Sequence, residues 1–232
     1  MVLRGLDTEV PMKETGVSWL GEIPAHWEFK PLKRVAEIQS GLTLGKTYTG
    51  NVKDYPYLRV ANVQDGYFDL NDIATVSIPE EMAEAYYLRR GDVLVTEGGD
   101  PDKLGRGFVW MGQIENCLHQ NHVFAVRPSA KVLNPYYLAL LSQSAYGRNY
   151  FMYTAKQTTN LASTNSTTLK QFALPLPPIG EQATIVSHLE EQSRRINEAI
   201  ARIEREIELI NEYRTALISE VVTGKVDVRD RK

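Results

Sequence analysis

The sequence predicts an α+β protein, a mixed α/β domain followed by a long α-helix that pairs as an antiparallel coiled coil. Three observations carry this expectation. Short runs of β-branched and aromatic residues, punctuated by Gly, Pro and Asn, fill residues 1–173. Three prolines then fall within four positions, Pro175, Pro177 and Pro178, in the stretch LPLPPIGEQ. Beyond them, Glu181 to Thr223 run without a proline or glycine and are dense in Glu, Arg and Ile.

Along the chain, YPYLRVANV (55–63), GDVLVTEGG (91–99) and HVFAVRP (122–128) read as strands that end in turns. EEMAEAYYLRR (80–90) reads as a helix. In LNPYYLALLSQSAYG (133–147), Asn134 suits an N-cap, Pro135 suits the first helical position, and Leu138 and Leu141 share a face. These elements define a mixed α/β domain over 1–173. Residues 174–178 form a proline elbow, because proline fixes φ and pushes its predecessor out of the α region.

A helix over 179–223 follows, with a C-terminal tail at 224–232. Pro178 is tolerated in a first helical turn, Glu181 complements the positive end of the helix dipole, and Gly224 is a natural stop. About 45 residues at about 1.5 Å each give a rod on the order of 65 Å. Its apolar stripe begins with Ile185, Leu189 and Ile196, with Gln192 in the intervening slot. Ile200, Ile203, Ile207, Ile210, Leu217 and Val221 continue it, with Arg214 in the remaining slot. From residue 200 the steps alternate three and four, the coiled-coil spacing. Successive steps of four at 192–196–200 make a stutter that locally unwinds a supercoil. A rod of this length exceeds what one small domain can cover, so the stripe calls for a second long helix.

Composition narrows the function classes. The 232 residues are 43% hydrophobic and 24% charged, an ordinary soluble balance. Cys117 is the only cysteine, which excludes a disulfide framework and fits a reducing cytoplasm. No stretch is apolar enough for a membrane span, and the N-terminus lacks a signal-peptide pattern. Residues 1–178 carry 17 Lys and Arg against 18 Asp and Glu, so a DNA-binding surface here must concentrate its cations locally or share the phosphate contacts with a partner subunit.

Catalytic patterns do not accumulate. NPYY (134–137) lacks the second proline of a base-holding methyltransferase loop, and a helix cap accounts for its residues. DPDK (100–103) has no acidic-x-Lys companion of the kind a metal-dependent nuclease uses. Cys117, His119 and His122 would not converge on one face of a strand, so they read as packing and hydrogen-bonding residues rather than zinc ligands.

Four stretches carry a family resemblance: TGVSWLGEIPAHWEFKPLKRV (15–35), GDVLVTEGGDPDKLGRGFVW (91–110), LPLPPIGEQATIVSHL (174–189) and LISEVVTGKVDVRD (217–230). Together they resemble the specificity (S) subunit of type I restriction–modification systems. The resemblance implies a non-catalytic, cytoplasmic subunit that binds double-stranded DNA at a bipartite sequence and docks modification (methyltransferase) subunits, and in some assemblies restriction subunits. It implies no cofactor in this chain. S-adenosylmethionine, ATP and Mg are expected on the partner subunits. Typical members carry two recognition domains and two spacer helices, whereas this chain has one of each with both the family's usual beginning and its usual end. It thus reads as a half-length form, either a working homodimer that binds an interrupted palindrome or an inactive cassette.

The resemblance does not transfer base contacts, so those candidates come from loop chemistry. GLTLGKTYTGN (41–51) offers Lys46, Thr47 and Tyr48. GGDPDKLGRG (98–107) offers Lys103 and Arg106, with glycines that permit close backbone approach. TAKQTTNLAST (154–164) offers Lys156, Gln157, Thr158 and Asn160. The competing reading is a coiled-coil adaptor or inhibitory subunit whose domain binds protein. Near-neutral charge favours it, and long polar loops without apolar anchors count against it.

Overall fold

A computed structural model of the chain describes residues 2–45, 48–99, 104, 105, 107–157 and 162–225. The chain opens with β1 (Met12–Glu14), β2 (Glu22–Pro24), β3 (Glu28–Pro31) and β4 (Ala36–Ser40). The longer β5 (Val52–Leu58) and β6 (Ala74–Pro79) follow, then one turn of helix, α1 (Glu80–Ala83). β7 (Val93–Thr96), β8 (Gly98–Gly99), β9 (Gly107–Val109), β10 (Leu118–His119) and β11 (Val123–Pro128) fill the middle of the chain. Two helices, α2 (Pro135–Gln143) and α3 (Ala145–Thr154), precede β12 (Lys156–Gln157) and β13 (Ala162–Ser163). α4 (Ser166–Gln171), β14 (Ala173–Leu176) and the 44-residue α5 (Ile179–Val222) complete it. The protein is α+β.

The centre is an antiparallel sheet in the order β4-β11-β7-β9. β7 and β11 sit inside it, which is why VLVT and VFAV read as unbroken apolar runs. Leu94, Val123, Ala125, Trp110, Cys117, Leu58 and Val63 form one core on this sheet. A second core, Leu42, Tyr55, Tyr57, Ile78, Ala83 and Leu118, lies against the sheet β10-β5-β6. Phe172 gathers Tyr146, Tyr150 and Phe151 around it with ring centroids 4.8–5.5 Å apart.

The helix expected over 80–90 is shorter. It tightens to a 3-10 turn at Glu84–Tyr86 and becomes extended at Tyr87. Leu88 gives its N–H to the Cys117 carbonyl, so tertiary pairing replaces the helical ladder. The expected helix over 133–147 divides at Ser144, whose backbone is extended and whose hydroxyl caps α3 through the Gly147 N–H. Asn134 caps α2, accepting from the Tyr136 and Tyr137 N–H groups.

The chain forms two compact units, Met1–Val186 and Ser187–Lys232. The division falls inside α5, two turns past the prolines. The proline stretch is tied into the first unit. Pro175 lies in β14, which pairs with β3 in the register Pro175↔Phe29, and the Tyr137 hydroxyl donates to its carbonyl at 2.9 Å. The first turns of α5 are bolted to the same unit. The Trp27 indole N–H donates to Glu181 Oε1 at 3.0 Å, and His26 Nε2 lies 2.9 Å from Glu181 Oε2. Gln182, fully buried, accepts from the Asn134 N–H and donates to the carbonyls of Val132 and Pro177, each at 2.8 Å.

In the second unit, Ile196, Ile200, Ile203, Ile207 and Ile210 are 47–64% exposed. Leu189, Leu217 and Val221 are partly exposed. Ile185 departs from expectation. It is fully buried within the first unit beside Val186, so it is already packed and unavailable to a partner helix. Gly224, at φ +74°, ends the helix. Its N–H bonds the Val221 carbonyl and the Lys225 N–H bonds that of Glu220, a Schellman arrangement.

Candidate nucleic-acid interface

The three polar loops are far apart in sequence, yet main-chain bonds bring their stems together. The Leu42 N–H bonds the His119 carbonyl at 2.8 Å, and the Asn121 N–H bonds the Leu42 carbonyl at 3.0 Å. One step further, the Glu97 N–H bonds His122, and the Thr164 N–H bonds Glu97, at 2.8 and 2.7 Å. β8 then pairs with β13 through Gly98↔Ser163 and Gly99↔Ala162, and β13 pairs with β12. The bases of loops 41–51, 98–107 and 154–164 therefore form one continuous rim. The rim lies at the end of the central sheet where β4 and β7 finish and β11 begins. Segment 119–122 bridges the first loop to the other two.

Of the nine candidate DNA contacts, the structure describes the side chains of Tyr48 and Lys156. Lys46, Thr47, Lys103, Arg106, Thr158 and Asn160 lie outside the described residues, as does the side chain of Gln157. Lys156 is exposed in β12. Tyr48 does not fit the expected role. It packs against the core of Tyr55, Tyr57 and Leu118, with its hydroxyl buried in that packing. The glycines of the second loop also serve a different purpose. A Cβ on Gly107 would stand 1.7 Å from the Leu94 carbonyl oxygen, and one on Gly105, at φ +73°, 2.4 Å from the Phe151 ring. They admit the chain's own core rather than a ligand.

The catalytic alternatives find little here. Asn134 is occupied as a cap and Tyr137 is buried. Residues 100–103 lie outside the described residues. Cys117 and His119 are buried, while His122 is exposed and paired with Glu97. Burial pushes the Cys117 thiol up to about 12, which keeps it an unreactive thiol. Among the described residues no three His, Cys, Asp or Glu side chains are grouped to hold a metal.

Among the described residues, cations gather at the opposite end of the sheet. Lys33, Arg34, Arg89 and Arg127 line an open cleft of about 530 Å³ together with Glu37. Arg127 is held by a bidentate pair with buried Asp92, at 2.8 Å on both arms. β11 spans Val123–Pro128 between rim and cleft, roughly 17 Å at about 3.4 Å per residue. That exceeds a Debye length of about 8 Å at physiological salt, so the cleft contributes little field at the rim. Among the described residues no helix is long and apolar enough to cross a membrane.

Comparison with known proteins agrees with this architecture. The putative type I restriction enzyme MjaX specificity subunit of Methanocaldococcus jannaschii is 31% identical over 212 residues, covering 89% of this chain and 48% of that protein. The type I restriction enzyme EcoKI specificity subunit of Escherichia coli is 28% identical over 197 residues, covering 80% and 42%. A solved chain of a type I restriction–modification system superposes with a TM-score of 0.61 at 20% identity, over 90% of this chain and 48% of that one. The HsdS subunit of Thermoanaerobacter tengcongensis does so at 0.51 and 18%, over 81% and 41%. The chain thus spans about half the length of the relatives it matches. The model of the type I restriction modification DNA specificity domain matches residues 24–209, and the chain belongs to that family.

Proposed function

We propose that the chain is a sequence-specific DNA-recognition subunit of a type I restriction–modification complex, non-catalytic and cytoplasmic. The observation that carries the reading is the rim, where three polar loops from distant parts of a specificity-domain chain share one hydrogen-bonded base. Polar side chains on such loops suit base edges in a groove, and Lys156 suits a phosphate. Modification subunits dock on the chain and supply S-adenosylmethionine and methyl transfer. Restriction subunits, where present, supply ATP- and Mg-dependent steps.

In this proposal two copies act together. Five isoleucines on α5 are about half exposed or more at coiled-coil spacing, and a second copy of the same helix matches that spacing along its length. Antiparallel pairing about a two-fold axis closes the assembly. Identical domains then read inverted copies of one half-site, so the target is an interrupted palindrome. The test is methylome sequencing of cells that express the chain with its modification subunit. A methylated motif with two inverted halves is expected, whereas two non-complementary halves assigned to this chain alone overturn the homodimer. A complex with no sequence preference at all overturns DNA recognition.

A further inference from the structure

We propose that His122 is a specificity-determining residue, contacting a base edge in the groove and held for that task by Glu97. The inference rests on the DNA-recognition reading above. His122 is the last residue of the segment that joins the first recognition loop to the other two, directly before β11.

Two of its neighbours in that segment, His119 and Gln120, are committed elsewhere. His119 is buried, with Nδ1 2.7 Å from the Val123 carbonyl oxygen. Gln120 turns inward, its Oε1 accepting from the Val60 N–H at 3.4 Å. The side chain of His122 is 53% exposed.

The support beneath it is rigid. Val123 and Thr96, the residues paired at the start of β11 and the end of β7, are 0% and 2% exposed. Glu97 extends that pair. Its N–H bonds the His122 carbonyl, its own carbonyl accepts from Thr164, and its side chain, 25% exposed, meets His122 Nδ1. Both faces of Glu97 are thus fixed before the carboxylate reaches the ring. A carboxylate on Nδ1 sets the orientation of an imidazole and leaves Nε2 as the outward nitrogen. That is one placed hydrogen-bonding atom on a buried scaffold, the arrangement that direct readout of a base needs. Stability alone does not call for it, since an exposed ion pair contributes only a little.

The test selects binding sites from randomised duplexes with the full chain in its complex, comparing wild type, His122→Ala, His122→Asn and Glu97→Gln. His122→Ala is expected to lower affinity for the selected site about tenfold and to flatten the preference at one base pair of each half-site. His122→Asn should shift the preferred base there, and Glu97→Gln should weaken the preference at that pair alone. Non-specific affinity and its salt dependence stay unchanged, and circular dichroism shows the same melting curve. An unchanged motif for His122→Ala overturns the proposal and leaves DNA recognition standing. Equal loss on specific and random DNA also overturns it, because that marks a phosphate contact. A wild-type complex that selects no motif overturns both readings.

Discussion

Replacing Gln182 by leucine asks whether the base of the long helix is held by one side chain. Leucine keeps the apolar stem and the helix propensity, but it leaves three groups facing hydrocarbon. These are the Asn134 N–H and the carbonyls of Val132 and Pro177, now bonded at 2.8 Å. An abandoned buried group costs about 1–3 kcal/mol, and carbonyls, with two lone pairs, tolerate it better than N–H groups. About 2 kcal/mol for the N–H and about 1 for each carbonyl give about 4 kcal/mol. For a unit of this size, about 2–4 °C per kcal/mol turns that into a fall in Tm of about 8–16 °C. Gln182→Glu keeps the acceptor for Asn134 but sets a carboxylate against two carbonyls, so it should be at least as damaging. The assay is urea unfolding followed by tryptophan fluorescence, since Trp27 and Trp110 are fully buried. A loss below about 1 kcal/mol in both variants, within ordinary surface-mutation scatter, would refute the reasoning.

Three further outcomes are expected. Ile203→Asp with Ile210→Asp should abolish self-association: each seam isoleucine contributes about 1.5–3 kcal/mol, and two-fold symmetry counts both twice. Light scattering that shows unchanged mass for this variant would exclude the helix as the pairing element. Lys46→Ala, Arg106→Ala and Lys156→Ala together should lower DNA affinity and, counted over both copies, reduce the salt slope by up to about five; an identical slope would remove the loops from the phosphate contact. The last concerns acid. Burial depresses His119 below its ordinary 6.5, so the unfolded chain takes up a proton that the folded chain refuses. Its contribution is complete above about pH 6.5 and is lost as the pH falls from there toward the depressed folded value. His119→Leu should flatten that acid limb in calorimetry, and parallel curves for the two proteins would show that His119 plays no part.

What could be read in the sequence was local. Asn134 and Pro135 announced the start of α2 because a cap is made by neighbours two and three residues away. Gly224 announced the end of α5 for the same reason, and β7 and β11 stood out as apolar runs. The failures were tertiary. Nothing within residues 80–90 reveals that Leu88 gives its N–H to Cys117, ending the helix early. Ile185 keeps the period of the stripe although it packs on its own domain, since spacing is silent about which surface does the covering. The rim was invisible for a related cause. Two-residue strands such as β8 and β13 have no periodicity, and it is pairing across more than sixty positions that joins them. His122 and Glu97 lie 25 residues apart, and only the β7–β11 register brings them together.

The stretches most typical of the family are also the ones that hold the structure together. His26 and Trp27 meet Glu181, and Gln182 meets the 132–134 turn, so the motifs at 15–35 and 174–189 are two halves of one joint. A buried indole N–H, a carboxylate and a primary amide each need a specific partner, which restricts substitution there far more than apolar packing would. At the rim the stems are held by main-chain bonds, which sequences lacking proline at the bonded positions can make provided glycine is kept at 41 and 107, where a Cβ would stand 2.1 and 1.7 Å from a carbonyl oxygen. The loops above can therefore change their side chains while the stems stay in register. A fold built this way separates two requirements: the contacts of Glu181 and Gln182 anchor the first turns of α5, and, in the function proposed above, the rim varies with the DNA to be bound. It follows that exchanging residues 158–161 while keeping the stem pairs Lys156↔Ser163 and Gln157↔Ala162 should alter the sequence bound without altering stability, whereas a single change at Trp27 or Gln182 should do the reverse.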